Sequence, residues 1–489
     1  MNRIYVNPYH SVGHINRNIF GGFAEHLERC IYGGIYDPDS PLSNDKGLRA
    51  DVLQALRRLK LSVVRYPGGN FASGYRWIDG VGPRKDRPTR LDMAWHALES
   101  NQFGTNEFIE FCHAIKAEPY LVVNCGDGNM REARDWVEYC NGKDSTALAN
   151  LRRQHGYDTP HGVKYWGIGN EIDGPWQIGF KTPEEYARVA AEYAKVMKWV
   201  DPDIKLIANG VSNWGASDFV ERCQLLIEHA GDLIDFLSMH WYVDNDADDF
   251  KTYMTLSELI EERLSGYEGL IRGMCLERGI RHSIDIAVDE WNVWHRKQMD
   301  QGGHDGVIYN LEDALVVAMH FNAFIRHAYS VKMANIAQIV NVIAPIRTKP
   351  DGMFLQTIFY PFELYSTLAG TTALNIYWTG DTFCTNDSAG LRVLDVTGTV
   401  NTEQKELALF VVNRSESEPA ETIISLSDGR FNDTAKMFTV NADSIKAENS
   451  FDNPCQVTLR SSEFSTKGGA TMQVEFEPHS ITAIACAIT

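Results

Sequence analysis

The stretch VKYWGIGNEIDGPWQIGFKTPEEYARVAAEYAKVMKWVDPDIKLIANG, Val163 to Gly210, decides the fold. It begins with an apolar run that stops at Glu171, turns through Asp173-Gly174-Pro175, and then changes period. Thr182 is placed to cap a helix, Pro183 suits its first position, and Glu185 completes a capping box. Tyr186, Val189, Ala190, Tyr193, Met197 and Val200 follow at helical spacing and form the face expected to pack. Asp201-Pro202 ends the helix, and IKLIANG is a second strand. Strand, helix, strand is one βα repeat and the start of the next.

The same alternation extends outward in both directions. IFGGFAEHL, SVVRYPGG, PYLVVNCG, IDFLSMHWY, IDIAVDEWN and MANIAQIVN are further strand candidates, which with the two above fit a closed (β/α)8 TIM barrel over residues 16–365. LRADVLQALRRLK and TNEFIEFCHAIKA read as helices with Leu48, Val52, Leu56 and Leu59, and Phe108, Phe111, Cys112 and Ile115, on their buried faces. From residue 366 to 489 short alternating runs such as KELALFVVNRS, ETIISLS, CQVTLRS, TMQVEFEP and SITAIACAI predict an all-β, jelly-roll-like sandwich. The strand-like NRIYVNP within residues 1–15 is expected to join that β domain. The fold class is therefore α/β, a barrel with a C-terminal β-sandwich, and 489 residues suffice for two cores.

A formal charge of −19, from 46 basic and 65 acidic side chains, disfavours nucleic acid and anionic membrane as partners and leaves a small or neutral one. MNRIYVNPYHSVGHINRNIF has no signal-peptide pattern, and no run reaches membrane-spanning length. Nine cysteines without a CxxC pair indicate reduced thiols, a cytoplasmic setting and no structural zinc. No HExxH or comparable pair implies a metal, and no cofactor is expected. The acidic run Asp244 to Asp249 lacks the glycine and terminal glutamate of an EF-hand, so it reads as a solvated, mobile loop; CGDGN, Cys125 to Asn129, reads as a flexible barrel loop.

Working residues of a barrel gather where the strands end. Here those ends carry Glu25 and His26, Arg65 and Asn70, Asn124 and Asp127, Asn170 and Glu171, Asn209, His240 and Tyr242, Glu290 and Asn292, and Gln338 and Asn341. Polar strand ends are ordinary. Two glutamates after apolar runs, flanked by Trp or Asn on separate strands, are less so. Paired carboxyls are the equipment of glycoside hydrolysis, one protonating the leaving group and the other attacking the anomeric carbon, about 5 to 5.5 Å apart in retaining enzymes. Trp95, Trp176, Trp241, Tyr242, Trp291 and Trp294 offer apolar faces for sugar rings, although such residues serve more often as core.

RYPGGNFASGYRWIDGVGPRKDRP, WGIGNEIDGPWQIG, SMHWY, DEWNVW and ANIAQIVNVIAPI, in this order, resemble glycoside hydrolase family 51, the retaining α-L-arabinofuranosidases of clan A, over essentially the whole chain. The resemblance implies that Glu171 is the general acid/base and Glu290 the nucleophile, and that Asn170 contacts the sugar 2-hydroxyl. It further implies that Glu25 and Asn70 grip hydroxyls in the furanose pocket, that Tyr242 orients the nucleophile with His240 beside it, and that Gln338 is another sugar contact. Trp95, Trp294 and Arg65 complete the expected binding set, Arg65 favouring ionisation of a neighbouring carboxylate, Glu290 or Glu25. The expected activity is exo hydrolysis of terminal non-reducing α-L-arabinofuranosyl groups from arabino- and arabinoxylo-oligosaccharides, by a homo-oligomer, a hexamer on the family pattern. Two departures stand out: Phe180 where many members have His, and a short segment from His295 to Gly306. An endoglucanase or β-xylosidase on the same two acids is the nearest alternative. A non-catalytic carbohydrate-binding protein and a metal-dependent sugar isomerase are more distant ones.

Overall fold

A computed structural model describes residues 2–385, 390–401, 403 and 405–489. Eight parallel strands close a barrel in chain order: β1 (Gly21–Phe23), β2 (Val63–Tyr66), β3 (Glu118–Val123), β4 (Tyr165–Ile168), β5 (Lys205–Val211), β6 (Phe236–Val243), β7 (Asp285–Val293) and β8 (Val331–Ala337). Each candidate run holds one of them. The helices following the strands are α1 (Ala50–Leu59), α2 (Thr105–Ile115), α3 (Met130–Asn141), α4 (Pro183–Val200), α5 (Phe219–Ala230), α6 (Leu256–Arg278), α7 (Leu311–Arg326) and α8 (Phe359–Leu368).

Local signals set the helix ends. At α4 the Thr182 hydroxyl accepts from the Glu185 backbone and the Glu185 carboxylate accepts from the Thr182 backbone, so two otherwise unpaired N–H groups are satisfied. The buried stripe of α4 is Tyr186, Ala187, Ala190, Tyr193, Ala194 and Met197, with Val189 and Val200 only half-buried. Helix α1 starts at Ala50, so Leu48 is buried ahead of the helix, in a bridge to Tyr36.

Side chains fill the barrel. Val63, Tyr120, Val122, Tyr165, Ile207, Phe236, Ala287 and Met333 make a packed interior, so the strand ends sit on a closed floor rather than a pore.

The β domain is a four-stranded sheet over a seven-stranded one. Strand Asn2–Val6 runs parallel to Ala420–Leu426 in the smaller sheet, which places the start of the chain within this domain. In strand Glu406–Asn413, Leu407, Leu409 and Val411 face the sandwich core while Ala408, Phe410 and Val412 join the barrel core. Both faces are covered, which is why this strand reads as a continuous apolar run. The Phe410 ring stacks on Tyr365 of α8 at 4.2 Å. Among the described residues no helix is long and apolar enough to cross a membrane.

Candidate active site

After β4 the chain leaves the barrel wall sharply, with Glu171 at φ 45°, a left-handed backbone that costs a non-glycine residue on the order of 1 kcal/mol. Two anchors hold it. The Ile172 N–H donates to Asn209 Oδ1 at 2.6 Å, and Asp173 accepts from the backbone N–H groups of Ser212 and Asn213 at 2.7 and 2.8 Å. The Asp-Gly-Pro turn is thereby tied to the loop after β5. Beyond it, Trp176 Nε1 donates to Glu171 Oε2 at 2.6 Å.

Strand β7 carries a bulge at the decisive place. Ser238 of β6 pairs with Ala287 and His240 with Glu290, so two residues of β7 stand against one of β6. The alternation of faces breaks there, and Asp289 and Glu290 both reach the site, 2% and 7% exposed. Arg65, from β2, serves both. Its Nη1 donates to Glu290 Oε2 at 2.6 Å, its Nη2 to Asn170 Oδ1 at 2.5 Å, and its Nε lies 3.4 Å from Asp289 Oδ2. Tyr242 donates to the other oxygen of Glu290 at 2.7 Å, and Tyr120 donates to Asp289 at 2.8 Å.

His240 sits between the acids. Its Nδ1 is 3.0 Å from Glu171 and 3.5 Å from Glu290, and its Nε2 is 3.4 Å from Asp289. Burial by itself would strip the imidazolium proton, but the charge of Glu290 and the bonds to Asp289 and Glu171 outweigh it and lift the pKa to about 10. Burial likewise opposes the charges of Asp289 and Arg65, and each is nevertheless held ionised by the other and its neighbours, Asp289 shifted down and Arg65 up. Ligand oxygens of Glu171 and Glu290 and a His240 nitrogen lie within 4.8 Å of one another. Such a trio has the donors for a metal ion, and in this structure its carboxylates already accept from Arg65, Tyr242 and Trp176.

Glu25 follows β1. Its Oε1 accepts from the Phe71 N–H and Trp95 Nε1, both at 3.1 Å, and its Oε2 from Gln338 Nε2 at 3.2 Å. Gly68, at φ 157°, makes room for it, because a Cβ there would stand 2.6 Å from Glu25 Cγ. Burial raises the Glu25 pKa to about 8, reinforced by the charge of Glu290 and opposed by the Phe71 and Trp95 donors. Trp294 packs edge-on against Tyr242, ring centres 5.1 Å apart.

A cavity of about 770 Å3 gathers these groups. Glu25, Asn70, Trp95, Glu171, His240, Tyr242, Glu290, Trp294 and Gln338 line it, while Arg65 and Asn170 lie buried beneath. Asn170 Nδ2 has no partner among the described residues.

Of the two carboxylates expected beside Arg65, Glu290 is the one it bonds, and Asp289 is an addition. Several details differ from the sequence reading. Trp291 offers no face to a sugar, because it is 1% exposed and stacked on His320 within the barrel wall. Phe180 is 47% exposed and does not line the cavity. The acidic run is solvated as expected, with Asp244, Asp248 and Asp249 exposed, while Asp249 caps the helix Phe250–Met254 and Asp248 pairs with Lys446 of the β domain. In CGDGN, Asn129 caps α3. The cavity also takes in Trp214, whose Nε1 donates to the His240 carbonyl at 2.9 Å, and His304, neither of which patterning singled out.

The two raised values give a pH dependence of stability. Both pKa values are higher folded than unfolded, so the stabilisation is complete below the unfolded value and disappears as pH rises through the folded one: 4.5 to about 8 for Glu25 and 6.5 to about 10 for His240. Stability is expected to fall on the alkaline side, with a limiting slope of about 1.4 kcal/mol per pH unit for each group. Thermal unfolding followed from pH 6.5 to 10 checks this. His240→Gln should flatten the upper part of the curve, and an unchanged slope would contradict the charge assigned to His240.

A parallel barrel with two close carboxylates at its mouth, steadied by Arg, His and Tyr beneath a tryptophan-lined cavity, defines a glycoside hydrolase. Family profiles agree: the α-L-arabinofuranosidase 1 domain matches residues 55–258 and the α-L-arabinofuranosidase C-terminal domain matches residues 289–480. The intracellular exo-α-(1→5)-L-arabinofuranosidase 1 of Bacillus subtilis is 38% identical over 457 residues, 91% of each chain. The crystal structure of the Thermotoga maritima α-L-arabinofuranosidase in complex with arabinose superimposes with a TM-score of 0.92 at 37% identity over all of both chains. AbfB, a family 51 α-L-arabinofuranosidase from Bifidobacterium longum, does so with a TM-score of 0.94 at 31% identity over 99% of both. The chain belongs to the α-L-arabinofuranosidases of glycoside hydrolase family 51.

Proposed function

We propose that this chain removes terminal non-reducing α-L-arabinofuranosyl groups from arabino- and arabinoxylo-oligosaccharides by double displacement. The observation that carries this reading is the approach of Glu171 and Glu290 to within 4.8 Å, a spacing that leaves no room for a water between carboxylate and sugar. Glu290 attacks the anomeric carbon while Glu171 gives its proton to the departing glycosidic oxygen. An arabinosyl-enzyme ester and a free alcohol result. Glu171, now ionised, takes a proton from water, the water oxygen attacks the anomeric carbon, and the bond to Glu290 breaks with net retention.

The surroundings serve these steps. Arg65 and Tyr242 occupy both oxygens of Glu290, which keeps it aimed. Arg65 also fixes Asn170 through Oδ1, which leaves the unpartnered Nδ2 for the sugar 2-hydroxyl, a bond that strengthens as charge develops at the anomeric centre. Glu25, Asn70 and Gln338 take the remaining hydroxyls. The name of the Bacillus subtilis relative supports a cytoplasmic location and the family pattern supports a homo-oligomer, a hexamer.

Proton NMR of the first-formed arabinose from an aryl α-L-arabinofuranoside tests substrate and stereochemistry together. The α-anomer is expected at first, with no comparable turnover of aryl β-D-xyloside or β-D-glucoside. Initial β-arabinose would sink the double displacement.

A further inference from the structure

His304 lies in the short segment after β7, and the chain invests heavily in holding it. The Glu28 carboxylate receives three bonds: the His304 and Asp305 backbone N–H groups at 3.0 and 2.7 Å and His304 Nδ1 at 3.0 Å. Gly303, at φ 72°, permits this approach, since a Cβ there would stand 3.0 Å from Glu28 Oε1. Asp305 adds ion pairs to Arg29 at 3.2 Å and Arg347 at 3.3 Å. Burial works against a charge on Glu28, but the bonds from His304 and Asp305 prevail and keep the carboxyl below its usual range. With Glu28 ionised, Nδ1 is the donor, which leaves Nε2 without a partner among the described residues.

The ring so fixed has its centre 5.5 Å from that of Trp95 and 5.9 Å from that of Trp294, and it lines the cavity. Those neighbours say which part of the cavity it faces. Trp95 donates to Glu25, and Trp294 packs on the tyrosine that holds Glu290. Glu171, from which the leaving group departs, has Trp176 bonded to it instead. His304 therefore belongs to the side occupied by the terminal furanose.

We propose that His304 is a binding residue for the terminal arabinofuranosyl group, its Nε2 hydrogen-bonded to a sugar hydroxyl, and that Glu28 is the positioning residue that sets its tautomer and seat. This rests on the arabinofuranosidase reading. The test compares wild type, His304→Ala, His304→Gln and Glu28→Gln on an aryl α-L-arabinofuranoside and on an arabino-oligosaccharide, with the inhibition constant of free arabinose measured alongside. Losing one neutral hydrogen bond to a sugar held alike in ground and transition states predicts about a five- to tenfold rise in KM on both substrates for His304→Ala. The arabinose inhibition constant should rise equally, with kcat within about twofold. His304→Gln restores part of the affinity, and Glu28→Gln falls between. A KM effect confined to the oligosaccharide would place His304 with the leaving group and overturn the proposal, as would unchanged constants. A wild-type enzyme inactive on the aryl arabinofuranoside would instead overturn the reading beneath it.

Discussion

Glu290→Ala should lower kcat on an aryl α-L-arabinofuranoside by at least about 10^4-fold while leaving the protein folded, a loss of the size seen when a covalent nucleophile is removed. The two halves of this expectation come from different contacts. Activity is lost because no other carboxylate can take the place of Glu290: Asp289 is spent on Arg65, Tyr120 and His240, and Glu25 on Phe71, Trp95 and Gln338. The fold persists because Arg65, although it loses one anion, keeps Asp289 at 3.4 Å and Asn170 at 2.5 Å, so no buried cation is left bare. Glu290→Gln fills the same volume and still accepts from Tyr242, and it should be equally inactive. Steady-state kinetics and a thermal melt on both variants decide the matter. More than about 1% residual turnover from a properly folded Glu290→Ala enzyme, far above what the loss of a nucleophile allows, would remove Glu290 from the nucleophile's role.

Much of this architecture was legible in the chain. The βα alternation located every barrel strand, because each carries a short apolar run ended by turn residues, and the Thr182 to Glu185 box located the start of α4. Glu171, Glu290, Glu25 and Tyr242 stood among many polar groups marked by one rule, that barrel chemistry sits at strand ends, and the family resemblance singled them out. Asp289 escaped that rule. A regular strand would turn it away from the face that Glu290 occupies, and only the bulge between the Ala287 and Glu290 pairings brings both acids inward. The charge of His240 was also out of reach, since it depends on three carboxylates that meet only in space. Trp291 misled for the opposite reason: it is flanked by the right motif, yet it points outward into the helix layer. His304 and Trp214 reach the cavity from loops, where neither period nor capping marks a side chain's direction.

Glu171→Ala should separate the two steps that Glu290→Ala abolishes together. On an aryl arabinofuranoside with a good leaving group, little protonation is needed, so the arabinosyl-enzyme still forms; its hydrolysis then lacks a base and becomes limiting. Turnover is expected to fall by about 10^2- to 10^4-fold with a lowered KM as the intermediate accumulates, whereas arabino-oligosaccharides, with poor leaving groups, should be almost inert. Azide should restore turnover of the aryl substrate and yield an arabinosyl azide of retained configuration. The geometry gives a reason for this beyond the absence of a base. Removing the Glu171 side chain vacates the space between His240 Nδ1 and Trp176 Nε1, which contacted its two oxygens at 3.0 and 2.6 Å. Both nitrogens then face the gap as donors, one of them on a protonated imidazole, and a small anion replaces the lost carboxylate where a neutral nucleophile gains nothing. Azide should therefore outperform a neutral alcohol of similar size, and His240→Gln in the Glu171→Ala background should weaken the rescue. Equal losses on good and poor leaving groups would deny Glu171 the acid's role, and a rescue indifferent to the charge of the nucleophile would deny His240 its proton.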